Sequence, residues 1–501
     1  MILIKEFERP GDRRSGPRTD SNKTRTAMHL YCHGLQGPGP VCRMMWISRT
    51  QLKGLRTMRP NFNLMKATLT GALGGLLFGF DTVVISGIID AVVRLYHLSD
   101  YGKGWTVAIA LIGTVVGSFS AGVVGHKLGS RETLRLTAVL YVLSAIGSAL
   151  AWSWPSLMVF RFIGGLGIGA SSVLGPVYIA ELAPAKWRGR LVGAFQFNVV
   201  FGILVAYTSN YLIRLLHLGA TEWRWQVGVA ALPAAIFLAL LFGIPRSPRW
   251  SASRDRIDEA LEVLKLMGEQ NPEAELADIR AALAEEHATA REPVFRWKYR
   301  YPLFLAITIG AFNQLAGINA ILYYLNDIFA AAGFSQLSGD QQAIAIGLTN
   351  LIFTIVGMSV IDKIGRKTLL LIGAAGTATC LAGVAWIFST NSHQGMLVWL
   401  LIVYIGFFAL SQGAVIWVYI GEVFPNHVRS KGQGVGNASH WTMNTIIALE
   451  FPVLAASIGR GAPFIFFAVM TAIQFLVVLF TYPETKGQTL EQLQRKLVAA
   501  D

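Results

Sequence analysis

The octapeptide Glu181-Leu-Ala-Pro-Ala-Lys-Trp-Arg188 returns later in the chain as Glu422-Val-Phe-Pro-Asn-His-Val-Arg429, with the pattern E-x-x-P-x-x-x-R in both places. Two further pairs recur at a similar separation. HKLGSR at 126–131 matches DKIGRK at 362–367, and PRSPR at 245–249 matches PETKG at 483–487. Each copy follows a long apolar run. The repeat predicts two related membrane halves, the plan of an alternating-access transporter that binds its substrate between them.

The composition predicts an integral membrane protein. Of the 501 residues, 53% are hydrophobic and only 14% are charged, and a soluble protein of this length could not cover so much apolar surface. A membrane span needs about 20 mostly apolar residues. We predict twelve spans in two sets of six, at 66–88, 104–124, 134–152, 156–180, 191–212 and 225–244, and at 303–326, 342–361, 368–389, 396–420, 433–457 and 462–481.

The loop charges predict an orientation. Lys and Arg concentrate in the loops after spans 2, 4, 8 and 10 and are scarce in the opposite loops. By the positive-inside rule, both termini and the central linker would face the cytoplasm. This bias and a basic N-terminal tail account for the net charge of +14, so we expect a lipid bilayer and no nucleic acid as partners.

These features divide the chain into five parts. We predict a disordered basic tail at 1–60, a six-helix half at 61–245, a linker at 246–300, a second six-helix half at 301–485 and a cytoplasmic tail at 486–501. Within the linker, Ile257–Met267 and Ala274–Glu286 have the pattern of amphipathic helices on the membrane surface.

The first 57 residues are polar and Arg-rich, and they show no signal-peptide core and no helical or strand period. We interpret them as lying upstream of a natural start at Met58. The alternative is a tail that binds anionic lipid. The three cysteines show no disulfide or metal-ligand spacing. No cofactor motif or catalytic set is present either, so we expect no metal, no cofactor and no enzymatic activity.

Several ordered motifs resemble the sugar porter family of the major facilitator superfamily. They are GGLLFGFDTVVISG at 74–87, RFIGGLGIG at 161–169, PVYIAE at 176–181 with Arg188-Gly189, NQLAGINAILYY at 313–324 and PETKG at 483–487. The resemblance covers residues 64–495 and is closest to bacterial xylose- and glucose-type proton symporters. It implies an all-α major facilitator fold of twelve helices in two pseudo-symmetric halves, with cytoplasmic linker helices. It also implies a monomer in the bacterial cytoplasmic membrane.

Amides within the spans are candidate sugar ligands, because an unpaired amide in lipid costs several kcal/mol and must face a partner or a cavity. Hydrogen bonding between helices is the alternative. The resemblance places Gln196, Gln314, Asn319 and Asn350 at sugar contacts, and Asn313 lies in the same short segment of span 7.

Four ring-bearing residues complete the predicted substrate site. The resemblance implies that Trp417 stacks on the apolar face of a pyranose, and Trp441 also matches a family position. Tyr324 is a candidate cavity wall, although packing would explain it equally well. His440 replaces an amide common among relatives, and either contacts sugar or titrates.

Asp81 is a carboxylate inside an apolar span, which is costly unless it is paired or protonated. Arg161, in span 4 of the same half, is the complementary charge. The resemblance implies that the acid carries the transported proton and that the arginine tunes its affinity. A static ion pair between spans 1 and 4 is the alternative.

The charges beside the repeated motifs resemble the family's inter-helix salt-bridge network. Such a network would latch the cytoplasmic side of the outward-open state and break on inward opening. A static positive-inside function is the alternative. The predicted latch residues are Arg131, Glu181, Arg188, Asp362, Arg366, Glu422 and Arg429.

The chain departs from the family pattern at several positions. His126 and Ser130 replace an acid and an arginine, which predicts a weaker latch in the first half, or one that responds to protonation of His126. Ala414 replaces a proline before Trp417, which predicts a stiffer span 10. Arg246 replaces an acid in the PRSPR segment. These changes leave the identity of the sugar open.

We therefore predict a secondary active transporter that imports a monosaccharide with a proton by alternating access. A passive sugar facilitator, with Asp81 as a structural ion, is the alternative. A non-transporting sugar sensor is a more distant one, because only 18 residues follow Pro483.

Overall fold

The computed structural model describes residues 27–33, 41–47, 61–184, 186–289, 292–425, 428–488 and 490–497. It separates into two compact units, Met1–Asn61 and Phe62–Asp501. The second unit contains the helices of both predicted halves.

The first unit contains an antiparallel hairpin of two strands, β1 (Ala27–His33) and β2 (Val41–Ile47), with Tyr31 opposite Arg43 in the register. The expectation that this region lacks a strand pattern was wrong. The signal was present, since two seven-residue segments with aromatic and aliphatic residues flank the Gly- and Pro-rich sequence GLQGPGP, which favours a turn. The rest of the predicted disordered tail lies outside the described residues.

The first half begins with five long helices. Spans 1 to 5 are Phe62–Tyr96, Asp100–Leu128, Ser130–Ala149, Trp154–Leu182 and Arg188–Arg214. Span 6 consists of Glu222–Gly228 and Ala231–Leu240, between 3₁₀ turns at Gly219–Thr221 and Leu241–Gly243.

The second half repeats this order with two interrupted spans. Span 7 consists of Arg300–Leu315 and Ile318–Tyr323, preceded by a 3₁₀ turn at Trp297–Tyr299 and followed by a short helix, Leu325–Ala331. Spans 8 and 9 are Gln336–Ile364 and Arg366–Thr390. Span 10 consists of Leu397–Leu410 and Gln412–Val423, after a turn at Gln394–Met396. Spans 11 and 12 are Arg429–Ser457 and Ala462–Thr481, and Leu490–Leu497 follows.

Ten helical segments in the described part of the chain are long and apolar enough to cross a membrane. They match ten of the twelve predicted spans. The other two, spans 3 and 11, are helices of sufficient length but carry more polar residues, such as Arg135 in span 3 and Asn444 in span 11. The fold is nevertheless the predicted twelve-helix bundle. Span 3 packs in the first half as span 9 packs in the second, and span 11 packs in the second half as span 5 packs in the first.

Helix packing repeats between the halves. In the first half span 1 packs on span 5, span 2 on span 4 and span 3 on span 6. In the second half the equivalent pairs are 7 and 11, 8 and 10, and 9 and 12. The two most extensive contacts between the halves are equivalent, span 2 on span 11 and span 5 on span 8. At the first contact Gly104 lies so close to Leu449 that an added Cβ would overlap the Leu449 carbonyl oxygen. The two halves are thus pseudo-symmetric.

The interruptions in spans 7 and 10 position the polar residues of the second half. Gly317 has φ +83°, a left-handed conformation that favours glycine, and it separates Gln314 from Asn319. Span 10 breaks at Ser411, with φ −112° and ψ −88°, three residues before Ala414. Loss of the family proline therefore leaves span 10 interrupted.

The linker packs as a small helical cluster. The predicted helix Ile257–Met267 forms with the predicted bounds, and the second predicted helix extends to Pro272–Thr289. Pro248–Ser253 adds a short helix that the sequence did not predict. Leu264 and Leu276 lie in the buried core of this cluster.

Candidate functional site

Asp81 and Arg161 form a buried ion pair between spans 1 and 4. An Nη1–H of Arg161 donates to Asp81 Oδ1 at 3.1 Å, and the two residues are only 9% and 2% exposed. Asp81 Oδ2 is buried without a hydrogen bond. The pairing predicted from the sequence is present.

A small cavity joins this ion pair to the second half. It measures about 10 Å³, roughly the room that one water molecule requires. Asp81 and Arg161 line it from the first half, and Tyr323 and Trp441 line it from the second. Trp441 is 3% exposed, and its Nε1 has no hydrogen-bond partner. The acid therefore shares a cavity with the half that carries most of the candidate sugar ligands.

Three polar side chains of the second half form one buried cluster. Gln314 Nε2 donates to Asn313 Oδ1 at 3.1 Å and lies 3.1 Å from His440 Nε2. His440 is 6% exposed, and its ring centroid lies 5.1 Å from that of Trp417 and 5.0 Å from that of Trp441. The imidazole of His440 thus lies beside Gln314 of span 7 and beside both tryptophans of the predicted substrate site.

The remaining predicted ligands have more open surroundings or local contacts. Trp417 is 41% exposed, while Gln196 and Asn319 are half-buried. Asn350 is buried in span 8 and accepts a hydrogen bond from Thr354 at 3.5 Å. An exposed indole and half-buried amides are groups that suit a ligand with both apolar and hydroxyl-bearing faces.

Tyr324 packs away from this cluster. Its ring stacks on Phe451 at 5.1 Å, and its hydroxyl donates to the Ala448 carbonyl at 2.8 Å. The neighbouring Tyr323 lines the acid cavity instead, and its hydroxyl accepts from Asn444 Nδ2 at 3.0 Å. Neither Tyr323 nor Asn444 was predicted from the sequence as a site residue. Asn444 lies one helical turn from His440 and Trp441, a spacing that would have placed all three on one face of span 11.

Two ion pairs connect the halves at one end of the bundle. Arg214 of span 5 pairs with Asp340 of span 8, and Lys103 Nζ of span 2 lies 2.7 Å from Asp327 Oδ2 after span 7. We call this end the distal face. The opposite end, with the repeated loops and the linker, is the linker face. The halves are held together at the distal face in this conformation.

The predicted latch charges of the first half make local contacts on the linker face. Arg131 Nη2 lies 2.6 Å from Glu132, and Glu181 accepts from Ser130 at 3.1 Å. Arg135 Nη1 also lies 2.8 Å from Glu132 Oε2. The family pattern has an acid where this chain has His126, and here Glu132 provides the carboxylate beside Arg131. Arg188 is half exposed, 3.8 Å from Glu275 of the linker.

The second half carries a tighter cluster on the same face. Arg366 pairs with Asp362 at 2.8 Å and with Glu422 at 2.8 Å, and Glu422 also accepts from Thr485 at 2.6 Å. Arg429 begins span 11. All the pairs of Arg366 described here lie within one half.

Comparisons with known proteins agree with this architecture. The chain is 36% identical to an arabinose–proton symporter of Bacillus subtilis over 433 residues, covering 84% of this chain and 92% of the relative. It is 34% identical to a D-xylose–proton symporter of Escherichia coli K12 over 469 residues, covering 86% and 95%.

The solved structures similar to it include the xylose transporter of E. coli in a partially occluded inward-open conformation, with a TM-score of 0.77 and 32% identity, covering 86% of this chain and all of that one. The same proton–xylose symporter bound to 6-bromo-6-deoxy-D-glucose gives a TM-score of 0.73 at 33% identity, with 87% of this chain and 99% of that chain covered. The model of a family described as "Sugar (and other) transporter" matches residues 67–497. With the twelve-helix fold and the buried acid–arginine pair, this places the chain in the sugar transporter family of the major facilitator superfamily.

Proposed function

We propose that this protein imports a monosaccharide together with a proton by alternating access. The observation that carries the proposal is the Asp81–Arg161 pair, buried in the first half but lining a cavity with Trp441 of the second. The names of the relatives support the same reaction, since they describe arabinose– and xylose–proton symporters.

Asp81 is the proton carrier in this mechanism. Protonation of its unpaired Oδ2 removes the charge that holds Arg161. A neutral acid is far less costly in an apolar interior than an unpaired charge. The loaded first half can then change its packing against Trp441, which couples proton binding to movement of the halves.

The sugar binds between the halves. Asn313, Gln314 and His440 form one side, and amide groups can both donate to and accept from sugar hydroxyls. Trp417 stacks on the apolar face of the sugar ring, and Gln196 approaches from the first half. Asn319, Asn350 and Trp441 complete the site.

The linker-face charges form the latch of the opposite conformation. With the distal face closed, Arg366 and Glu422 pair within the second half, and Arg188 lies 3.8 Å from Glu275 of the linker. In the outward-open conformation the linker face closes, and Arg131, Glu181 and Arg188 approach Asp362, Glu422 and Arg429.

The protein is a multi-pass membrane protein. We place it in the bacterial cytoplasmic membrane as a monomer with both termini in the cytoplasm, because the basic loops lie on the linker face. The distal face then faces the periplasm, and the conformation described here is inward-facing.

The test is sugar-driven proton movement in proteoliposomes. We expect one of xylose, arabinose, glucose, galactose or inositol to raise external pH on addition, and a proton gradient to drive its accumulation. Asp81→Asn should abolish both while sugar counterflow continues. Asp258→Asn in the linker makes the same chemical change away from the bundle and should behave as wild type.

Facilitated diffusion is the second candidate, and the short Asp81–Arg161 distance is compatible with a static pair. If a sugar enters without proton movement, and Asp81→Asn transports it equally well, the protein is a facilitator and Asp81 only holds Arg161.

A further inference from the structure

The distal face contains a three-residue ion cluster that the transport mechanism above does not use. Lys103 Nζ of span 2 lies 2.7 Å from Asp327 Oδ2 and 3.8 Å from Asp90 Oδ1 of span 1. Asp327 follows span 7, so the cluster bridges the halves. The exposed side-chain fractions are 18% for Lys103, 33% for Asp90 and 16% for Asp327. One ammonium thus faces two carboxylates in a partly buried interface.

The surroundings do not neutralise the second carboxylate. Asp340 of span 8 packs near the helix Leu325–Ala331, but it pairs with Arg214 and accepts from Asn326 Nδ2 at 2.6 Å. Arg460 donates to the carbonyl of Ala331, at the other end of that helix, at 2.8 Å.

Arg94, further along span 1, is exposed and lines a cavity of about 520 Å³ together with Asp90 and Asn326. Taken by themselves, the ionised side chains of Asp90, Lys103 and Asp327 carry one net negative charge, which a single proton removes.

We propose that Asp90, Lys103 and Asp327 form a second proton-binding site, separate from Asp81, that clamps the distal face shut when it is protonated. In the closed conformation the carboxyls share one proton beside Lys103. When the halves separate at this face, Asp327 leaves Lys103 and Asp90 and becomes hydrated, so the proton is released. Proton binding and closure of the distal face are thus linked.

The pKa of Asp327 has the sign that this linkage requires. Burial raises it to about 7, Lys103 opposes the shift, and Asp90 acts in the same direction as burial. A group that binds its proton more tightly in the closed form favours that form at low pH. The free-energy preference for the closed form is complete below the ordinary aspartate pKa of 3.8, and it is lost as pH rises through about 7. If the distal face is periplasmic, external acid promotes closure around the loaded site.

Spin-label distances across the distal face test this without requiring transport. Tyr101 and Ile458 are 55% and 72% exposed near the distal ends of spans 2 and 11, which belong to different halves. Both are changed to labelled cysteines in a full-length chain that carries Cys32→Ser, Cys42→Ser and Cys380→Ala. Asp81→Asn in the same chain removes the transport proton.

We expect the short-distance population to fall as pH rises through about 7. Asp90→Asn leaves a one-to-one pair of Lys103 with Asp327, so the transition should move to lower pH. Lys103→Gln removes the cation that pairs with Asp327, so the transition should move to higher pH. Asp327→Asn should keep the short distance at every pH.

The matched control is Asp258→Asn, which should leave the transition where it is. A parent protein without a pH-dependent distance change would overturn the proposal. An unchanged transition in Asp327→Asn, or shifts of Asp90→Asn and Lys103→Gln in the same direction, would also overturn it. Because the readout is a distance in an Asp81→Asn background, failure here is distinct from failure of sugar–proton symport.

Discussion

His440 determines how the amide of Gln314 is used. The imidazole lies 3.1 Å from Gln314 Nε2 and is packed between Trp417 and Trp441. A buried amide that loses its partner costs about 1–3 kcal/mol. The side chain at position 440 therefore acts on sugar affinity both directly and through the orientation of Gln314.

Replacing His440 with leucine or glutamine separates these effects. We expect His440→Leu to weaken sugar binding about tenfold, because about 1.4 kcal/mol corresponds to a factor of ten, while His440→Gln should retain most of the affinity. Isothermal titration of the detergent-purified protein measures the change, with thermal unfolding as the control for folding. Equal affinities for the leucine and glutamine variants would show that the contact with Gln314 is unimportant.

At this scale the sequence analysis succeeded where charge was decisive. A carboxylate and a guanidinium within one half have few alternatives to pairing, and Asp81 and Arg161 do pair. The sequence prediction named Tyr324 and missed Tyr323. Adjacent residues of a helix differ by about 100° in direction, and only the packing against span 11 shows which of them lines the acid cavity. Roles in sugar contact remain predictions.

Among the elements, span 7 depends on a single glycine. Gly317 has φ +83°, and an added Cβ would overlap the ring of Phe467 in span 12. The break that it makes separates Gln314 from Asn319 and allows both amides to approach the space between the halves.

Two glycine-to-alanine changes test the importance of this break. Gly333 has φ +88°, but a Cβ there would meet only Gln394 Oε1 at an ordinary 3.6 Å. Left-handed strain costs about 1–2 kcal/mol for alanine at either position, and Gly317→Ala adds overpacking of about 1–3 kcal/mol. We expect Gly317→Ala to lower the thermal unfolding temperature clearly more than Gly333→Ala in the same detergent. The opposite order would show that Phe467 moves aside freely.

Element positions followed from hydropathy, but interruptions did not. The twelve predicted spans are helical, whereas the break in span 10 falls at Ser411, two residues before the nearest glycine, Gly413. The β1–β2 hairpin was missed because the polar, Arg-rich composition of its surroundings outweighed a Gly- and Pro-rich turn between two short segments.

For the whole molecule, the two equivalent contacts between the halves determine whether the distal face can close. Gly104 and Gly122 both lie in span 2. At Gly104 the backbone of span 11 leaves no room for a side chain, whereas Gly122 has open space around it. These two glycines therefore provide a matched pair for the closing movement.

We expect Gly104→Trp to abolish sugar counterflow in proteoliposomes while sugar binding in detergent remains, because the indole holds spans 2 and 11 apart. Gly122→Trp should transport at nearly the wild-type rate. Counterflow by Gly104→Trp comparable to wild type would mean that the halves do not need to meet at this position.

The division of polar residues between the halves has an evolutionary consequence. The ionisable pair belongs to the first half, and most of the candidate sugar ligands belong to the second. Mutations in the second half can therefore change which sugars the cell takes up, while the first half keeps transport coupled to the same ion gradient. A hybrid gene that joins this first half to the second half of a relative should encode a carrier with the ion coupling of this protein and the sugar specificity of the relative.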